Sequence, residues 1–156
     1  MGTPLAWILL GLLALLLIVA AWGDIRSRTI ANGLNAAIAL LAIPFWWATG
    51  LALWPDVALQ VGVAALVFGA FAIAFAIGAM GGGDVKLLAA IALWLPWQAV
   101  LALIVIMSLA GGVLTAFLAV RHRLRRAEGR LEVPYGVAIA FAALWLIGQR
   151  FLYHFA

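Results

Sequence analysis

The chain has 156 residues, of which 69% are hydrophobic and only 9% charged. A soluble domain carries about 25% charged residues, so this composition excludes a soluble globular enzyme, a disordered regulator and a nucleic-acid module. The pI is 10.8 and the mean hydropathy +1.26. The net charge is only +4, so in so apolar a chain the basic excess reads as membrane topology, with lipid as the surrounding partner and no nucleic acid. Cysteine is absent, which excludes disulfides, cysteine zinc sites and a thiol nucleophile. The length favours one bundle over residues 1–156, with no second domain.

A helix crossing a bilayer needs about 20 apolar residues. Candidate spans fall at 4–22, 33–49, 57–80, 85–95, 97–120 and 134–153. The first resembles a signal sequence in apolarity, but no Lys or Arg precedes Asp24, so a retained span is expected. The fourth is short, with Lys86 at its start and Pro96 at its end. The expected fold is all-α: a polytopic membrane bundle of six transmembrane helices.

Charge placement supports that count. With six spans, the connections at 23–32, 81–84 and 121–133 share one side. They and their flanks carry Arg26, Arg28, Lys86, Arg121, Arg123, Arg125, Arg126 and Arg130, which is eight of nine basic residues. Positive residues concentrate in cytoplasmic loops, so both termini are expected to be extracytoplasmic. Trp7, Trp22, Trp46, Trp47, Trp54, Trp94 and Trp97 lie near span ends, where interfacial aromatics collect; Trp145 lies mid-span. Ala70, Ala74, Gly78 and Gly82 recur every four residues along the third span and predict a small-residue face for close helix approach.

Ionisable groups near hydrocarbon need a reason, because each costs several kcal/mol unless it snorkels, pairs or meets water. Asp56 follows Trp54-Pro55 in a short outer turn, where Asp is ordinary. Glu128 and Glu132 sit among arginines and read as solvated. His122 and His154 have no partner at ligand spacing, so no metal is expected. The run 121–126 reads as a headgroup anchor.

Asp24 and Asp84 stand apart. Asp24 ends the first span, and Asp84 follows Gly81-Gly82-Gly83 and opens a short apolar run. From Asp84 to Leu95 a helix rises about 18 Å at ~1.5 Å per residue, against a hydrocarbon core of about 30 Å. The glycine run is therefore expected to carry non-helical chain into the membrane, which is tolerated only inside protein or beside a wet cavity. Chain parity puts both carboxyls at the cytoplasmic ends of helices. Two facing carboxyls share a proton more cheaply than they both ionise. A water between them can be deprotonated by one while the other polarises a peptide carbonyl. A plainer reading gives Asp24 an i,i+4 partner in Arg28 and makes Asp84 a helix cap.

At these residues the sequence resembles the type IV prepilin peptidase family, most of all its short Flp-type (tight adherence) branch. Gly81-Gly82-Gly83-Asp84-Val85-Lys86 is similar to the family's G-x-G-D-x-K motif. The stretch from Asp24 through Ile30-Ala31-Asn32 is similar to its D-x-x-x-x-x-I-P-N, with Ala31 in place of the usual proline. Pro134-Tyr135-Gly136-Val137-Ala138-Ile139 is similar to the P-Y-G-x-A-I stretch opening the last helix. The resemblance implies a cofactor-free aspartic endopeptidase of the bacterial inner membrane. It would remove the basic leader of prepilins or pseudopilins at the cytoplasmic face, in pilus assembly and protein secretion. Asp24 and Asp84 carry over as the catalytic pair. Gly81, Gly83, Lys86, Asn32, Pro134, Tyr135 and Gly136 carry over as support. Larger members carry a cysteine-bearing insertion associated with N-methylation; here it is missing, so methyl transfer and S-adenosylmethionine are not expected. Two other readings stay open: a small transporter or channel subunit using Asp24, Asp84 and Lys86 as a charge relay, and an accessory scaffold of a secretion machine.

Overall fold

The computed structural model describes residues 3–124 and 133–155. The loop arginines Arg125, Arg126 and Arg130, with Glu128 and Glu132, lie outside the described residues. The described chain is all-helical: α1 (Pro4–Ser27), α2 (Asn32–Thr49), a π-helical turn (Leu53–Val57), α3 (Ala58–Ala76), α4 (Gly82–Ala92), α5 (Trp97–Leu124) and α6 (Tyr135–Phe155).

Three helical stretches, Pro4–Ser27, Leu53–Ala76 and Trp97–Leu124, are long and apolar enough to cross a membrane. Their outward faces are rows of large apolar side chains such as Ile8, Leu15, Leu66, Ile73, Val105 and Leu109. Such a surface suits lipid, and helices satisfy their own backbone polar groups there. The molecule is a multi-pass membrane protein.

The 11-residue α4 is the hub. It packs against α2, α3 and α6, while α6 also packs on α1 and α5. Leu87, Leu88, Ile91 and Ala92 are buried all round, as expected of a helix surrounded by others. Between helices in lipid, packing and hydrogen bonds hold the structure rather than the hydrophobic effect. Two tryptophans supply such bonds at the far end of α4. Trp46 Nε1 donates to the Leu93 carbonyl at 2.8 Å, and Trp94 Nε1 donates to the Ile38 carbonyl at 2.9 Å. The Trp94 ring lies 4.8 Å from that of Phe45. Trp94 is therefore a core residue, not an interfacial one, whereas Trp22, Trp47, Trp54 and Trp97 are exposed. Trp145 is exposed mid-helix beside Phe141.

The expected small-residue face is not formed. The α3 helix stops at Ala76, and Gly78, at φ 74°, turns the chain. The Gly78 amide donates to Phe75 O and the Ala79 amide to Ala74 O, both at 2.9 Å, the paired bonds of a Schellman stop that needs a left-handed residue. Gly82 belongs to α4, and Ala70 is exposed. The side of α3 that is buried carries Gln60, Ala64 and Val67 instead.

Candidate active site

The α1 helix continues past Trp22 to Ser27, so Asp24 lies in its last turn, buried at 4% exposure. Arg28 ends the helix in the left-handed region at φ 55°, with its amide on Asp24 O at 3.0 Å. The Ser27 hydroxyl donates back to Gly23 O at 2.8 Å. The chain then turns sharply, burying Ile30 and restarting as α2 after Ala31. Ala31 sits at φ −61° and ψ 134°, a backbone that proline favours. The departure from the I-P-N pattern therefore leaves the turn's geometry proline-like.

Asp84 lies in the first turn of α4, buried at 8% exposure. Gly82 and Gly83 are already helical, so the glycine run is not the extended membrane-penetrating segment expected from the sequence. Its role is steric. A Cβ on Gly81 would fall 2.9 Å from Asp84 Oδ2. One on Gly82 would meet the Phe75 ring at 3.2 Å, and one on Gly83 would meet Ile30 at 3.2 Å. Each glycine admits a different neighbour.

The N-terminus of α6 completes the arrangement. Pro134 is buried just before the helix. The Val137 amide, shared with Pro134 O, donates to Asp24 Oδ2 at 3.3 Å. A Cβ on Gly136 would lie 2.8 Å from Asp24 Oδ2 and 2.8 Å from Ile30 Cδ1. The Tyr135 ring rests on α5 at Gly111, where a Cβ would sit 3.2 Å from it.

Both carboxyls open on one cleft of about 700 Å³, lined also by Ser27, Arg28, Thr29, Gly81 and Tyr135. The structure thus brings together Asp24, Asp84, Gly81, Tyr135 and Gly136. Asn32 and Lys86 are elsewhere: Lys86 Nζ donates to Asn32 Oδ1 at 2.8 Å, tying the starts of α2 and α4 beside a separate groove. A charge relay through all three ionisable groups finds no such contact. Gly83 faces Ile30 rather than the cleft.

Three contributors escaped the sequence reading. Ile30 is wedged between the backbones of Gly83 and Gly136. Asn35, buried at 4% exposure, donates from Nδ2 to Gly83 O at 3.0 Å. Gly111 lets Tyr135 close on α5. A buried amide one turn into α2 was the signal for Asn35; nothing local marks Gly111. Among the described residues no group of three or more His, Cys, Asp or Glu is placed to hold a metal ion. Asp56 takes the Ala52 amide at 3.2 Å in the turn before α3, far along the chain from the cleft and exposed.

The described chain is thus a helical membrane protein in which two buried carboxyls open on one cleft. The model of the type IV leader peptidase family matches residues 11–116, and the chain belongs to that family. No curated protein and no solved structure matches it. The chain is accordingly a membrane peptidase related to prepilin processing. The matched stretch contains Asp24, Asn32, Gly81, Gly83, Asp84 and Lys86, while Pro134-Tyr135-Gly136 lies beyond it.

Proposed function

We propose that this chain is an aspartic endopeptidase that removes the basic leader of Flp-type prepilins, or of related pseudopilins, at the cytoplasmic face of the bacterial inner membrane. Asp24 and Asp84 are its catalytic pair. The observation that carries the reading is that both carboxyls are buried yet open on one cleft, each pressed against a glycine that no larger residue could replace without movement. Two carboxyls so placed hold one water: one takes its proton as it attacks, and the other protonates the carbonyl oxygen. The amide carbon becomes tetrahedral, and its collapse breaks the C–N bond and returns a proton to the leaving amine. No cofactor is needed, and methyl transfer is not part of the activity.

In this reading the chain crosses the membrane six times with both termini outside. Both aspartates then lie at the cytoplasmic ends of helices, where the leader of a prepilin joins its hydrophobic segment. The transporter reading draws no support from the Lys86–Asn32 bond, which turns the lysine away from the cleft. The test is reconstitution. Purified protein in lipid vesicles, given a Flp-type prepilin, should release the leader and leave a new N-terminus at the leader–helix junction by mass spectrometry. An intact prepilin, or a cut elsewhere, contradicts the proposal.

A further inference from the structure

Helices α2 and α3 barely meet among the described residues, and α4 floors the gap between them. The gap is a groove of about 470 Å³ that shares no lining residue with the aspartate cleft. Six alanines keep it open: Ala36 and Ala39 on α2, Ala64 and Ala65 on α3, Ala89 and Ala90 on α4. Lys86 and Leu93 mark its extent along α4, a rise of about 10 Å at ~1.5 Å per residue. Its polar lining residues are Asn32, Asn35 and Lys86, at the end where α2 and α4 begin. The rest of the lining is apolar, and no acidic side chain belongs to it.

Two observations at the polar end point to a ligand. Lys86 Nζ spends one donor on Asn32 Oδ1 at 2.8 Å. An ammonium has three donors, so an exposed cation keeps two of them at the mouth of an apolar groove. Asn35, on the same wall, is 4% exposed; its Nδ2 donates to the Gly83 carbonyl, but its Oδ1 has no hydrogen-bond partner among the described residues. Buried acceptors are normally paired, so the chain alone does not complete this end of the groove.

Size and surroundings identify the occupant. A helix about 10 Å across takes roughly 800 Å³ over ~10 Å of length, far more than the groove holds. The groove equals roughly sixteen waters at ~30 Å³ each, and a methylene has about the same bulk, so hydrocarbon chain fits. Phe68 on its wall and Leu40 beside it face outward, on a surface that suits lipid. A cation at the head of an acyl-sized groove between membrane helices selects an anionic headgroup.

We infer that this groove is a binding site for one anionic phospholipid. The phosphate sits on the Lys86 ammonium, and the acyl chain lies along the alanines between α2 and α3. The site is separate from the aspartate pair, so its occupancy is read without any cleavage.

The experiment is native mass spectrometry of the purified full chain, released from micelles holding equal amounts of phosphatidylglycerol, phosphatidylethanolamine and phosphatidylcholine with identical acyl chains. Wild type should retain one phosphatidylglycerol about tenfold over phosphatidylcholine. Lys86→Met should cut that preference about fivefold, the order of one lysine–headgroup attraction, and Lys86→Arg should keep it. Ala36→Phe and Ala65→Phe, both at exposed positions, fill the groove and should lower retention of that lipid about tenfold at unchanged helicity. Arg121→Gln, in the basic last turn of α5 and outside the groove, should retain it as wild type does. Equal retention of the three lipids overturns the inference. So does a preference that survives Lys86→Met and both Phe variants, or one lost in Arg121→Gln. Displacement of the lipid by an equal concentration of glycerol phosphate, which has the phosphate but no chains, would mark a phosphate site instead and overturn it too.

Discussion

The Asp24 carboxylate occupies the space that a side chain on Gly136 would need: an added Cβ lies 2.8 Å from Oδ2 and 3.0 Å from Cγ. The last turn of α1 and the first turn of α6 are thereby locked at backbone distance, with the Val137 amide on the same oxygen. Gly81 stands in the same relation to Asp84. Gly136→Ala and Gly81→Ala should each displace a carboxyl. Overpacking of this kind costs about 1–3 kcal/mol, and a shift of about 1 Å at reacting groups costs on the order of a hundredfold in rate. Leader cleavage per folded molecule should fall by that order. Gly112→Ala, with open space around it, serves as the control and should cleave as wild type does. Full activity in Gly136→Ala would show that the carboxyl need not stay where the structure puts it.

The turn after Asp24 makes the opposite prediction. Ala31 already holds a proline-like φ of −61° at the start of α2. Ala31→Pro should therefore keep cleavage and add about 0.4–1 kcal/mol of stability by restricting the unfolded chain. Thermal denaturation in detergent reads the gain. A lower midpoint would mean that the Ala31 amide or the preceding residue cannot accommodate the ring.

Asn35 and Lys86 both join α2 to α4, but at different depths. Asn35 holds the carbonyl of Gly83, the residue directly before Asp84, and Lys86 holds Asn32 at an exposed edge. Asn35→Leu removes that side-chain donor, a net loss of about 0.5–1.5 kcal/mol for one hydrogen bond, and should lower both thermal stability and cleavage. Lys86→Met removes an exposed contact and should change cleavage less than Asn35→Leu does. Equal or larger loss in Lys86→Met, at matched protein levels, would assign the lysine a part in the chemistry.

Orientation has its own measurement. A reporter fused near Arg125 should read as cytoplasmic and one at the C-terminus as extracytoplasmic, as the clustering of basic residues demands. Reporters falling on the same side would remove the six-span arrangement.

The sequence made the helical bundle legible, since a chain this apolar can enter lipid only as helices or a closed barrel. The two aspartates were legible as well, because ionisable groups beside apolar runs have few structural uses. What the sequence hid was contact between distant segments. Three successive glycines suggested extended backbone, yet Gly82 and Gly83 are helical and serve Phe75 and Ile30. Trp94 looked interfacial from its place at a span end, but α4 is so short that its end lies in the core. The four-residue spacing of small side chains through Gly82 ran across a helix stop that a single left-handed glycine creates. Lys86 matched a motif two residues from Asp84 and points to Asn32.

In the proposed mechanism Asp24 and Asp84 act as one unit on one water. Asn preserves shape but cannot take or give the proton. Asp24→Asn and Asp84→Asn should each abolish leader cleavage while the protein accumulates normally in the membrane. The double variant should be no worse than either single one, because residues acting together are non-additive. Asp56→Asn, whose carboxylate serves only the turn before α3, should cleave normally. The most direct measurement is the leader-cleavage rate of well-expressed Asp84→Asn in vesicles. A shared catalytic water predicts no cleavage above background; a rate near that of wild type would contradict it.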